Sequence, residues 1–377
     1  MYILIVARNY PKEKEPLLGI FEFDQAKALR NFGHKVVYLS LDLRSIFRKR
    51  RLGVYWSVFN EINILNISLP LGKISIVLRY LIGKIALSIY FEEIQKKHGK
   101  PDIIHAHFTG IGVMSVSLKR KFKIPLVLTE HSSHINKDVL SDRLKCLALE
   151  AYSNSNRLIS VSTALSKVIF EHFSLKSDVV HNVVDIDEFY FIEKNKPDMF
   201  TFISVGLLNR NKGFDILVKA FYQAAFDINV QLKIIGNGPE FENLQCQIES
   251  LGLNKQIKLL GFLNRNQISK VMQKSNVFVL ASRSETFGVA YIEAMLSGLP
   301  VIATSCGGPE DFVTTENGLI VAVDHVDALK DAMIRIRDEI NNYNGKIISE
   351  NCKLHFSPIS IATQLTKIYE SVLNDNP

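Results

Sequence analysis

Residues 1–7 form a near-continuous apolar run, the mark of a strand buried on both faces of a parallel sheet. Residues 16–19 predict a turn, and residues 21–32 a helix with Phe21, Ala26, Ala28 and Leu29 apolar and Gly33 as its stop. Residues 35–41 read as a second strand, closing a βαβ unit. Apolar runs at 102–106 and 125–129, with a helical segment between them, predict two more strands, and 157–161 and 179–180 add another two. Residues 185–199 (DIDEFYFIEKNKPDM) are charged, turn-rich and without period, as a linker would be. The same grammar then restarts. Strands are expected at 201–205, 231–235, 257–260, 277–281, 300–303 and 319–321. Helices are expected after the loop 206–213 to about 225, after the turn 236–239 to about 252, and at 267–275, 289–297, 327–343 and 360–373.

This pattern predicts an α/β chain made of two Rossmann-like, doubly wound domains facing across a central cleft. The N-terminal one would cover 1–184, a linker 185–199, and the C-terminal one 200–377. The last helix, about 358–377, is free to pack back on the N-terminal domain. Ligands in such sheets bind off the carboxyl ends of the strands.

A length of 377 residues favours two cores over one. An apolar content of 47% with 22% charged residues is ordinary for a soluble globular protein. Residues 1–7 run straight into Arg8 and a polar segment, which is unlike a secretory leader. The nearest approach to a membrane span, 74–91, contains Arg79 and Lys84. Four scattered cysteines without a CxxC pair argue against a zinc site and fit a reducing cytoplasm. The net charge of +7 is concentrated at Arg44, Arg48, Lys49, Arg50 and Arg51, near Phe47, Tyr55, Trp56 and Phe59. A solvated loop or helix edge explains such a cluster. So does a peripheral contact with an anionic membrane surface, whereas no recognition module for nucleic acid accompanies it.

The most informative segment is 284–308, SETFGVAYIEAMLSGLPVIATSCGG. It sets Glu285 and Glu293 on either side of a Phe287-Gly288-Val289 turn, between an apolar strand and a helix ended by Gly298 and Pro300. Amides at the start of that helix suit a phosphate, and the two carboxylates suit hydroxyls, so a sugar nucleotide fits both. Glu293 is flanked by apolar residues, and a buried carboxylate needs a partner. Lys212 and Gly213 open a helix after a strand, where a Lys reaches a diphosphate, and Arg210 lies two residues earlier. His131 stands just past a strand end, with His134 beyond it. His105 and His107 alternate at another strand end with no acid or Cys at ligand spacing, so they read as neutral lining groups. Gly19 and the run Gly307-Gly308-Pro309-Glu310 mark bends where a side chain would obstruct close approach.

Together these residues resemble the glycosyltransferase group 1 family, the family 4 retaining glycosyltransferases of the GT-B fold. The resemblance covers most of the chain and is strongest from 182 to 308. It rests on Glu285 and Glu293 as the E-x7-E element, and on Gly206, Lys212 and Gly213 as the glycine-Lys-Gly loop. The GNGPE turn at 236–240, with Gly238, the HNVVDIDEF segment at 181–189, the Gly19 loop and the TEH ending in His131 complete it. The resemblance implies that Lys212 pairs with the donor diphosphate, helped by the Gly288 and Val289 amides, with Gly206 and Gly238 lining the nucleotide. Glu293 would bond the ribose, Glu285 and Phe287 the donor sugar. His131 would contact the transferred sugar, and Gly19 would line the phosphate side. The chain departs at Leu207, where the family usually carries an Arg, which makes Arg210 the candidate replacement, and at Val183, where Gly is common.

The expected activity is therefore retaining, metal-independent transfer of a hexosyl group from a nucleoside-diphosphate sugar. The acceptor would be a saccharide or lipid-linked saccharide, as in bacterial capsule, lipopolysaccharide or exopolysaccharide biosynthesis. The donor is a substrate, and no cofactor or metal is implied; the one DxD, at Asp185 and Asp187, lies in the linker. The expected location is cytoplasmic, peripheral on the inner face of the plasma membrane. A sugar-nucleotide epimerase of the same fold and a non-catalytic sugar-nucleotide-binding homologue are the alternatives.

Overall fold

The computed structural model describes residues 1–12, 15, 18–48, 50–137, 139–193 and 199–375. Part of the turn expected at 16–19, Lys49, and residues 194–198 of the expected linker lie outside the described residues. The chain divides into two compact units, one of Met1–Val183 with Pro358–Pro377 and one of Val184–Ser357.

The first unit begins with β1 (Tyr2–Ala7), α1 (Ile20–Asn31), β2 (Lys35–Asp42), β3 (Gly53–Phe59), β4 (Ile62–Ser68) and α2 (Ile76–His98). It continues with β5 (Ile103–His107), α3 (Thr109–Phe122), β6 (Leu126–Glu130), α4 (Asp142–Ser153), β7 (Arg157–Ser160), α5 (Thr163–Phe173) and β8 (Asp178–Val179). The strands form one sheet in the order β3-β4-β2-β1-β5-β6-β7-β8. All neighbours are parallel except β3 and β4. Every residue of β1 is buried, as an interior parallel strand requires.

The hairpin of β3 and β4 and the long helix α2 are not anticipated by the chain's pattern. Asn60 and Glu61 both take positive φ at the turn (47° and 58°), the conformation that matches a two-residue turn to strand twist. The hairpin also revises the reading of the basic cluster. Arg44 binds Glu15 and Asp42, with Nη1 at 2.6 Å from Glu15 Oε1. Arg50 lies 3.0 Å from Asp42 and donates to the carbonyls of Arg44, Ser45, Arg48 and Leu69, with its side chain only 4% exposed. These two arginines hold the loop together and cannot face a membrane. Three of the four aromatic residues are similarly engaged: Trp56 donates to Glu93, Arg51 lies over Tyr55, and Phe59 packs on Phe23 and Tyr10.

The second unit contains β9 (Phe200–Val205), α6 (Phe214–Gln223), β10 (Val230–Ile235), α7 (Phe241–Ser250), β11 (Ile257–Leu259) and α8 (Arg265–Met272). Then follow β12 (Val277–Val279), α9 (Val289–Leu296), β13 (Val301–Thr304), β14 (Gly318–Val321), α10 (Val326–Asp338) and α11 (Gly345–Phe356). Its sheet is wholly parallel in the order β11-β10-β9-β12-β13-β14. The helix expected over 327–343 ends at Asp338, and α11 stands where no helix was expected.

Residues 184–193 are packed rather than free. Phe189 is fully buried, Ser269 donates to the Glu188 carbonyl, and Phe191 lies against Gly298. Asp185 Oδ1 accepts from the amides of Asp187 and Glu188, so the DxD closes its own turn. The final helix, α12 (Pro358–Asn374), belongs to the first unit. Its Ile361, Ala362, Leu365, Tyr369 and Val372 join Ile3, Ile5, Leu29 and Val36 in one core.

Candidate active site

In the second unit the chain winds outward from β9 to β10 and β11, then returns to lay β12 on the other side of β9. Direction reverses between β9 and β12, the place where doubly wound sheets open a crevice at their carboxyl ends. Lys212 follows β9 and Glu285 follows β12, and their side chains meet: Nζ lies 2.6 Å from Oε1. Ser282 Oγ donates to the same carboxylate oxygen at 2.7 Å. Glu285 is 8% exposed.

The backbone fixes this meeting. Gly213 has φ +63°, and a Cβ there would lie 1.9 Å from the carbonyl oxygen of Ala281, so only glycine lets the two loops touch. Arg283 N donates to the Asn211 carbonyl, and Asn211 Nδ2 returns a bond to the Ser284 carbonyl. The Arg283 guanidinium grips Asp215 with both Nη atoms, lies 2.7 Å from Asp324 and also donates to the Arg210 carbonyl. The GNGPE turn packs on the other side of the same loop. A Cβ on Gly236 would strike the Gly206 carbonyl, and one on Gly238 the Leu208 carbonyl, while Glu240 N donates to Leu208. Gly206 has ordinary room for a Cβ.

Gly288 (φ +102°) starts α9 and has no side chain to offer the amides of Val289 and Ala290, while the Tyr291 amide donates to the Gly288 carbonyl at 3.0 Å. Glu293, one turn inside, is 7% exposed and lies 3.7 Å from Arg265 Nε at the start of α8. Arg265 is a site neighbour the chain's pattern does not reveal, because a lone Arg in a capping-box helix start resembles a solvated one. Phe287 revises an expectation. Its side chain is 2% exposed and packs on Phe312 and Phe356, so only its backbone is available to a sugar. Arg210 turns to Glu240 at 3.7 Å with its side chain 88% exposed, while Lys212 turns to Glu285. Leu207 is exposed.

The first unit has its own reversal, between β1 and β5. Here the strand ends carry a row of histidines. His105 and His107 stack at 4.5 Å between centroids, and His107 Nδ1 lies 3.0 Å from His131 Nε2. His105 bonds Tyr369 of α12 at 2.6 Å and Thr129 at 2.7 Å. Burial pushes His105 and His131 down to about 3, with the neighbouring His131 acting on the former and Arg8 on the latter; the nearby Asn182 side chain opposes the shift at His131. His107 is held well below the usual range by burial and by its two neighbours. All three are therefore neutral imidazoles at ordinary pH. Glu130, fully buried beside them, accepts from Thr109, Tyr152 and the amides of His131 and Ser132. Arg8 lies over the Phe108 ring at 3.4 Å and 3.9 Å from Glu22, another residue not singled out from the chain. Gly19 starts α1 at φ +74°, where a Cβ would lie 2.3 Å from the Asn9 carbonyl oxygen. His134 is exposed, and its amide donates to Ser132.

Comparison with known proteins gives the family. Residues 185–347 match the family described as glycosyl transferases group 1, and residues 22–188 match glycosyltransferase family 4. An uncharacterised glycosyltransferase of Methanocaldococcus jannaschii is 30% identical over 72% of this chain and 76% of its own length. The chain is a group 1 glycosyltransferase. As members of that family do, it has the GT-B fold. Sucrose-phosphate synthase from Thermosynechococcus elongatus superposes with a TM-score of 0.81 over the whole of both chains, at 21% identity. HepE from Anabaena, solved in complex with UDP, gives 0.76 over 98% of this chain and all of its own, at 19% identity.

Proposed function

We propose that this glycosyltransferase moves a hexosyl group, with retention of configuration and without a metal ion, from a nucleoside-diphosphate sugar. The acceptor is a saccharide or lipid-linked saccharide of a surface polysaccharide. One observation carries the donor reading: Lys212 and Glu285 are paired beside the uncapped amides of α9, at the sheet's reversal point. A diphosphate would take Lys212 and those amides, and release Glu285 to accept hydrogen bonds from sugar hydroxyls. Glu293 faces the ribose in the same reading. The complex of HepE with UDP supports this choice of ligand class.

In the transfer step the bond from the anomeric carbon to the diphosphate oxygen breaks, and a bond to the acceptor oxygen forms on the same face. The acceptor's proton passes to the departing diphosphate. Lys212 and the α9 amides stabilise charge that grows on that leaving group. His131, neutral and held by His107, contributes a polar contact to the transferred sugar rather than a positive charge. Incubation with a panel of sugar nucleotides tests the proposal through nucleoside-diphosphate release and the anomeric configuration of the product. Slow donor hydrolysis, unchanged by chelator and lost in Glu293→Ala, is expected. Failure to bind any donor, or an inverted product, overturns it. His131→Asn should lower turnover without loosening nucleoside diphosphate.

A further inference from the structure

The helix α2 shows solvent the side that a helix of a globular unit normally hides. Val77, Leu78, Leu81, Ile85 and Ile89 are all exposed, between 45% and 71%, while Ala86, Leu87, Phe91 and Ile94 fill the inner side. The spacing places the five on one face over about 20 Å of helix. Beyond Ile89 the exposed positions become Glu92, Glu93, Lys96 and Lys97, so the apolar stripe ends abruptly. The loop between β2 and β3 extends the stripe. Ser45 lies against Gly72, Lys73 Nζ sits 4.4 Å from the Phe47 ring, and Phe47 and Ile46 are 72% and 59% exposed. A contiguous apolar surface of this kind marks an interaction site.

Charge selects the occupant. Between Asp42 and Glu92 the sequence holds eight Lys or Arg and a single acid, Glu61, which is paired with Arg30. With Arg44 and Arg50 spent inside the loop, Arg48, Arg51 and Lys73 remain as exposed cations around the apolar stripe. A second copy would bring these like charges together, whereas an anionic lipid surface complements them and accepts the aliphatic side chains. No helix among the described residues is long and apolar enough to cross a membrane, so contact would be at the interface. We propose that the outward face of α2, with Ile46 and Phe47, docks this enzyme on an anionic bilayer. The inference deepens the lipid-linked acceptor reading above and centres the contact on α2, with Arg48 and Arg51 the part of the arginine cluster that stays available to it.

Sedimentation with phosphatidylcholine vesicles, with and without phosphatidylglycerol, tests it. The wild-type chain should pellet only with the anionic vesicles and be released by high salt. Leu81→Glu with Ile85→Glu, both at exposed positions, should cut binding about tenfold or more, and leave donor hydrolysis and the melting curve unchanged. Should that pair unfold the chain, Arg48→Glu with Lys73→Glu decides instead, by loss of the salt-sensitive binding. Equal pelleting of wild type and variants, or none by either, overturns the proposal. So does a wild-type dimer, seen by analytical ultracentrifugation, that the α2 variant converts to monomer without any vesicle binding. Loss of vesicle binding with donor turnover intact removes this inference alone; loss of turnover with vesicle binding intact removes the donor reading instead.

Discussion

The two units share one architecture, a largely parallel sheet whose winding reverses beside its first strand, yet their strand ends are built from opposite materials. In the second unit the reversal carries ionic pairs: Lys212 with Glu285, and Arg265 with Glu293. In the first it carries neutral imidazoles stacked in the interior and tied to Tyr369. Paired charges can be exchanged, since an incoming anion takes the cation and frees the carboxylate. A buried neutral stack exchanges nothing and resists protonation. The difference teaches that the sheet reversal supplies a place, while the side chains decide whether that place grips an anion or shapes an uncharged surface.

The largest effect on activity should come from breaking the ionic side. Lys212→Ala is expected to lower nucleoside-diphosphate release by about 10²–10³-fold, as loss of one donor to a developing charge does. The melting temperature should hardly move, because Lys212 holds no core; a large drop would make the pair structural. Gly213→Ala attacks the close approach that brings the pair together. Its Cβ would lie 1.9 Å from a carbonyl oxygen, so a destabilisation of about 2 kcal/mol or more in chemical denaturation is expected.

The neutral side should betray itself in acid. His105 and His131 sit near 3 when folded, below the free value of 6.5. The unfolded chain therefore binds the extra protons. This contribution to stability is complete above pH 6.5 and is lost as the pH falls from there toward 3, by up to about 1.4 kcal/mol per unit for each histidine. Denaturation midpoints across that range measure it, and a His105→Asn, His131→Asn chain with an unchanged slope would refute it. The smallest effect belongs to Tyr369→Phe, which leaves one buried imidazole nitrogen unpartnered. About 1–3 kcal/mol of stability should go, with donor hydrolysis preserved.

Much of this was legible because parallel strands read as plain apolar runs, and because glycines report contacts between backbones. Gly213 and Gly238 stand where two loops collide without them. Glu293 was readable from its apolar flanks, which forecast a buried carboxylate that needs a partner. That partner, Arg265, was not readable, since the contact depends on how α8 lies beside α9. The hairpin of β3 and β4 was obscured by basic and aromatic residues that looked like free surface chemistry but pair with Asp42, Glu15 and Glu93. Helix α2 defeated the periodicity because it is apolar on both faces, one for the core and one for something else.

The return of α12 makes the second unit, in topological terms, an insertion into the first. The chain leaves the first unit at Val183 and re-enters it at Pro358. Departure and return lie side by side, since the Val184 amide bonds the Phe356 carbonyl at 3.2 Å. Trimming residues 358–377 would therefore wound the opposite unit from the one they follow. It would empty the places of Ile361, Leu365 and Tyr369 from the N-terminal core and strip His105 of a partner, while leaving the loops around Lys212 intact.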